Sequence, residues 1–200
     1  MSTTLNQPPQ TQPRITPEEF LVHPDRDLFE LVNGQLVEQK MSMESVWIAG
    51  ELFRRLAGHV TEHKLGRAYP DGLTYQCFND LEHDPFLLRR PDCTFIRKGR
   101  VTPGQFAAGH CRVVPDLIVE VVSPNDTYYD VQQRVHEFRA VGCPLVWVID
   151  PESRTAMVYR KDGRVSEVNE QSSLEGEDVI EGFSVCLAEV LPPQNLEGNL

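Results

Sequence analysis

The sequence predicts an α/β protein of the α+β type: a mixed β-sheet flanked by helices, with one β-hairpin near each end. Three observations lead there. The dipeptide Asn33-Gly34 separates two short runs, Phe29–Val32 and Gln35–Glu38, of the kind a tight type I′ turn joins. From Glu44 to His63 apolar residues recur at helical spacing. Between Leu117 and Asp150 a strand pattern, a helix pattern and a second strand pattern follow one another, which calls for a parallel pair and a crossover.

Taken in order, Met1 to about Arg14 is rich in Pro, Gln and Thr and reads as a disordered arm. The folded domain is expected over residues 15–191, and the stretch 192–200, with Pro192-Pro193 and Gly198, as a flexible tail. In the first long helix Val46, Ala49, Leu52, Phe53, Leu56 and Val60 form the apolar stripe. Strands are expected around Gly72–Phe78 and at Asp92–Ile96, with a Gly- and Pro-containing loop from Arg97 to Arg112. Leu117–Val122 is a strand ended by Ser123-Pro124, and Asn125, Asp126 or Thr127 is placed to cap the next helix. That helix carries Val131, Val135, Phe138 and Val141 on one face and stops at Gly142. Pro144–Asp150 reads as a buried strand, and Lys161-Asp162-Gly163 joins Thr155–Arg160 to Arg164–Val168 in a second hairpin. Trp147 and Trp47 are both expected in the core rather than as stacking platforms.

Two hundred residues suit a single domain with a sizeable core. The five cysteines are scattered, odd in number and without C-x-x-C spacing, which suggests reduced thiols in a cytoplasmic protein and no structural zinc. Neither a signal region nor an apolar run of membrane-spanning length is present in the sequence. The net charge of −11 argues against a protein that coats nucleic acid. Basic residues nevertheless cluster, first at Arg54, Arg55, His59, His63, Lys64 and Arg67, then at Arg89, Arg90, Arg97, Lys98 and Arg100. Such clusters form either solvated faces or a small basic groove on an acidic body.

Two apolar runs hold an acid where a buried strand should exclude one: Asp92 after Arg90-Pro91, and Glu120 inside Pro115-Asp116-Leu117-Ile118-Val119-Glu120-Val121-Val122. Alternation puts Asp116, Ile118, Glu120 and Val122 on one face and Leu117, Val119 and Val121 on the other. A buried carboxylate needs a cation or several donors, or it takes up a proton. In one reading Glu120 pairs with an arginine while Asp92 and Asp116 cap turns after their prolines. In the other, Asp92 and Glu120 form a two-carboxylate site for magnesium or manganese, with the backbone carbonyl of Val121 as a further ligand. The histidines lack metal spacing, and neither a nucleophile elbow nor a phosphate loop occurs.

The order Pro91-Asp92 followed by Glu120-Val121-Val122 resembles the PD-(D/E)xK nuclease superfamily. With Phe29–Gly34, Pro115–Pro124 and Gly142–Pro151 added, the chain resembles the Uma-type family of restriction endonucleases over about residues 15 to 190. The resemblance implies a restriction-endonuclease-like fold and a magnesium-dependent endonuclease that hydrolyses DNA. It implies that Asp92 and Glu120 bind the ion, and that Glu30 or Glu44 is an outer acid. A lysine would be wanted two residues after Glu120, where Val122 stands. Members of this kind often draw it from the following helix, at the position of Arg134, which can stabilise charge but cannot act as a base. Analogy with enzymes that cut two strands suggests a homodimer. Two rivals remain: a weakened nuclease fold serving as a binding or dimerisation module, and a hydrolase of small phosphorylated substrates.

Overall fold

The computed structural model describes residues 13–78, 84–107 and 109–193. A short helix α1 (Pro17–Leu21) and a 3₁₀ turn (Arg26–Leu28) lead into strands β1 (Phe29–Val32) and β2 (Gln35–Glu38). Asn33 and Gly34 both take positive φ, 52° and 73°, as the mirror-image turn requires. Helix α2 (Met43–Glu62) starts at Ser42, whose hydroxyl accepts the Ser45 amide while Ser45 returns the bond. Then come β3 (Gly66–Pro70), β4 (Cys93–Arg97), α3 (Pro103–Phe106), β5 (Leu117–Val121), α4 (Tyr128–Ala140) and β6 (Leu145–Asp150). The chain ends with β7 (Thr155–Arg160), β8 (Val165–Asn169), the small pair β9 (Ser173–Glu175) and β10 (Ser184–Cys186), and a 3₁₀ turn at Leu187–Glu189.

Strands β3 to β8 form one six-stranded mixed sheet in chain order. Only β5 and β6 run parallel, joined through α4, which is the strand–helix–strand unit the sequence calls for. Thr127 is the cap of α4, its hydroxyl taking the Asp130 amide, and Gly142 ends the unit at φ +81°. The central strands β5 and β6 are buried on both faces. Leu117, Val119, Val121, Leu145, Trp147 and Ile149 face α2 and its buried Ile48, Leu52, Leu56 and Val60. Ile118, Val146 and Val148 face α4 through Val131, Val135 and Phe138. Truncating Phe138 to alanine at this contact costs about 3–5 kcal/mol. The β1–β2 hairpin stands apart as its own two-stranded sheet, tied to the main body where Leu31 bridges Leu88.

The structure corrects several expectations. Residues 72–78 form no strand; Tyr75 alone makes bridges, to Arg89 and Cys111. The strand is instead β3, on the edge of the sheet, where one face of the ladder has no partner and the apolar alternation is lost. On α2 the buried stripe is centred on Ile48, and Val46 is exposed because it lies beyond the stripe's edge. Trp47, beside it, is 44% exposed rather than in the core, whereas Trp147 is fully buried. Residues 1–12 of the expected arm and 194–200 of the expected tail lie outside the described residues. Among the described residues, no helix is long and apolar enough to cross a membrane.

Candidate active site

Ladder pairing between β4 and β5 stops at Cys93 opposite Val119. Asp92 is the next residue out, and its side chain continues the ladder: Oδ2 accepts the Val121 amide at 2.6 Å. One residue before Val121, Glu120 points to the α4 face. The two acids line one cleft of about 180 Å³, walled by the β1–β2 hairpin, the segment after it and α4. Glu30, Val121 and Arg134 line it too, so the five residues singled out from the sequence come together. Glu44 does not; it is exposed in the first turn of α2. Asp116 lies elsewhere, accepting the Arg97 amide and pairing with Arg100 at 2.7 Å, a structural role.

Six carboxylates (Glu30, Glu38, Asp92, Glu120, Asp126, Asp130) line the cleft against four cations (Lys40, Arg89, Arg90, Arg134). Arg134 Nε lies 2.8 Å from Glu120 Oε2, an ion pair without hydrogen-bond alignment, and its terminal nitrogens donate to Asp126 Oδ1. Arg89 is clamped twice: Nη1 donates to Glu30 Oε2 at 2.7 Å, and Nε and Nη2 fork onto the Glu137 carboxylate. The other oxygen of Glu30 accepts the Arg90 amide at 2.7 Å. Glu30 therefore has both oxygens engaged, and it fixes the chain that leads through Pro91 to Asp92.

Burial pushes the Asp92 carboxyl up to about 7, with Asp71 and Asp126 adding to the shift and the Val121 amide and Arg134 opposing it. Glu120 is also held well above its ordinary range, first by burial, then by Asp92 and Glu30, with Arg134 opposing. Burial works against the charge on Arg134 as well, but Glu120 and Asp126 outweigh it and keep its pKa above the ordinary value. The guanidinium is thus charged throughout, and protons entering the site go to the Asp92–Glu120 pair.

Each of these acids keeps one oxygen in reserve. Among the described residues, Asp92 Oδ1 and Glu120 Oε1 accept no hydrogen bond, and neither is sealed from solvent. Buried Gln39 Oε1, Arg90 Nε and Arg134 Nε, all on the same cleft, also lack hydrogen-bond partners. Orphaned polar atoms of both signs gathered at one place suit a ligand that is both cation and anion, such as an ion with a phosphate. The hard oxygen donors, and the excess of two negative charges once Asp92 and Glu120 are both ionised, fit a divalent magnesium or manganese ion. No larger cage exists: no group of three or more His, Cys, Asp or Glu arranged to hold a metal occurs among the described residues.

Sequence reasoning missed Lys40, whose Nζ sits 2.7 Å from Asp130 Oδ2 at the cleft wall, as well as Gln39 and Asp126. Local sequence holds no signal for Lys40, since its partner is 90 residues away. Asp126 was readable only as a cap candidate; the cap is Thr127, which frees Asp126 to hold Arg134 and the Ser123 amide.

No curated protein matches the sequence. Among solved structures, the chain is similar to a crystal structure described as a putative nuclease belonging to DUF820 from Anabaena variabilis. The TM-score is 0.74 at 19% identity, covering 88% of this chain and 97% of that one. That likeness establishes the fold, a six-stranded mixed sheet with helices on its faces. The sequence matches the family described as "Uma2: Putative restriction endonuclease" over residues 17–190, which contain β1, β4, β5 and α4 and every wall of the cleft. The chain belongs to the Uma2 family.

Proposed function

We propose that this protein is a DNA endonuclease that depends on magnesium or manganese, with Asp92 and Glu120 as the ion's carboxylate ligands and the Val121 carbonyl beside them. The observation that carries the reading is the pair of reserved oxygens, Asp92 Oδ1 and Glu120 Oε1, in one desolvated cleft. Attack on a phosphodiester is limited by charge, and a bound divalent ion lowers the pKa of water and offsets the charge that develops at phosphorus. The chain's own residues do the rest. Arg134, held against Glu120 and Asp126, places a fixed positive charge at the cleft wall for the substrate's phosphate. Lys40, paired with Asp130 at the cleft wall, adds a second positive charge within reach of a bound phosphate. Glu30 acts as the outer acid by positioning Arg89 and the Arg90 backbone rather than by touching the ion.

Plasmid nicking with Mg²⁺ or Mn²⁺ tests this. Wild type should nick, and Asp92→Ala and Glu120→Ala should each abolish nicking with the fold intact by circular dichroism. Full-rate activity in both variants would refute the assignment.

One observation favours the non-enzymatic rival: Arg134 lies against Glu120 where a catalytic lysine would be wanted. Calorimetry decides, since absence of divalent-ion binding at millimolar concentration points to a binding or dimerisation module. A homodimer is proposed by analogy with enzymes that cut two strands, and sedimentation equilibrium measures it.

A further inference from the structure

A second concavity lies at the other end of β4, between β3, the end of α2 and the segment around α3, with a volume of about 680 Å³. Four cations line it, Lys64, Arg67, Arg97 and Lys98, and among the described residues no acidic side chain does. In a chain with 30 acids against 19 Lys and Arg, that separation of charge is unusual. Several arginines elsewhere on the surface are neutralised, Arg54 by Glu51, Arg55 by Glu189, Arg160 by Glu177 and Arg164 by Asp162. Within the groove Arg97 lies 3.9 Å from Asp116 and donates to the Asp178 and Val179 carbonyls, which leaves Lys64, Arg67 and Lys98 as its free cations among the described residues. Lys64 and Lys98 are exposed and have no ion pair among the described residues. Arg67 has no acid among the described residues either, and its guanidinium lies over the exposed ring of Phe106, 4.6 Å from the centroid. Gly66 allows this grouping: a Cβ there would stand 2.2 Å from the Ile96 carbonyl oxygen, so only glycine brings β3 this close to β4.

We propose that this groove binds the phosphate backbone of duplex DNA. The choice of DNA rests on the nuclease reading above; the charge argument does not. Five residues separate Asp92 from Arg97, which at a strand's rise puts the groove about 17 Å from the acidic cleft. That is roughly half a helical turn of B-form DNA, within the length of one short duplex. Unpaired Lys and Arg release counterions when they meet phosphates, and they carry no sequence information. The groove therefore supplies affinity and register, while the acidic cleft, poor at attracting a polyanion, supplies the chemistry.

Fluorescence anisotropy with a 30-base-pair duplex in EDTA tests the groove without involving cleavage. Wild type, Lys64→Ala/Arg67→Ala/Lys98→Ala and a control, Arg139→Ala/Lys161→Ala, are titrated between about 50 and 200 mM salt. The groove variant should bind at least ten-fold more weakly at low salt, and its dependence of log affinity on log salt should flatten by about 2.7, from roughly 0.9 per phosphate contact. The control should match wild type. Equal binding by the groove variant and wild type, or no binding by wild type at about 50 mM salt, overturns the proposal. All three groove side chains are exposed, so folding is not at stake. If nicking fails while the groove effect holds, the cleavage reading alone is lost and the groove stands.

Discussion

Arg134 Nε stands 2.8 Å from Glu120 Oε2, while its terminal nitrogens reach Asp126 Oδ1 at 3.1 and 3.2 Å. One guanidinium thus joins the end of β5, the loop after it and the second turn of α4. It compensates two buried acids at once, and any loss of it leaves both uncompensated.

Replacing Arg134 by alanine should therefore destabilise the protein by about 3 kcal/mol or more, the usual cost of breaking a buried pair by removing one partner. Urea unfolding at pH 7.5 measures it, and Arg134→Lys should recover part of the loss. A change under about 1 kcal/mol would show that the acids are solvated rather than paired.

Stability should fall as pH rises from about 4 to about 7. Asp92 has an ordinary value of 3.8 and is pushed up to about 7 in the fold. Between those values the folded state holds a proton that the unfolded chain has lost, so the slope is negative, at most about 1.4 kcal/mol per pH unit. Asp92→Asn should remove that part of the slope in urea titrations run across the window. Ion affinity should move the other way, tightening between about pH 6 and 8 as the carboxylate ionises. Calorimetry showing pH-independent ion binding would contradict this assignment of the proton.

Lys40→Ala should separate activity from stability. Its bond to Asp130 is half exposed, with 36% and 41% side-chain exposure, and such pairs contribute about 0–1 kcal/mol. The melting temperature should thus move only slightly while nicking drops ten-fold or more. Unchanged nicking would assign Lys40 to the surface alone.

Gly66→Ala should separate β3 from β4, because the added carbon meets the Ile96 carbonyl at 2.2 Å and Phe95 Cε2 at 2.7 Å. Overpacking of this kind costs about 1–3 kcal/mol, read by thermal melting, and DNA affinity should weaken with it. A variant as stable as wild type would show that the edge strand adjusts freely.

How much of this was legible in the chain depends on what encodes each element. Asn33-Gly34 declares its hairpin because only a left-handed pair of residues closes it. The faces of β5 followed from strict alternation, which put Glu120 with Ile118 on the α4 side. Gly66-Arg67-Ala68-Tyr69-Pro70 has no such pattern, since an edge strand is paired on one side and exposes Arg67 and Pro70. The segment 72–78 mimicked a strand through Leu73, Tyr75 and Phe78, which are packed beneath loops rather than in a ladder. Within the cleft, Asp92 and Glu120 were visible as acids in apolar runs. Lys40 and Gln39 were not, and Arg89 showed only as a member of a basic cluster, because their roles arise from contacts across 48 to 90 residues of chain.

The pairing of Cys93 with Val119 acts as a caliper for the cleft. Slipping β5 by a single residue would turn Glu120 toward α2 and deliver an aliphatic side chain in its place, emptying the cleft of its second acid without altering the composition of the sheet. The spacing of the two carboxylates is consequently guarded by the whole hydrophobic ladder behind them. Substitutions at exposed positions around the rim can then accumulate while the acids stay in register.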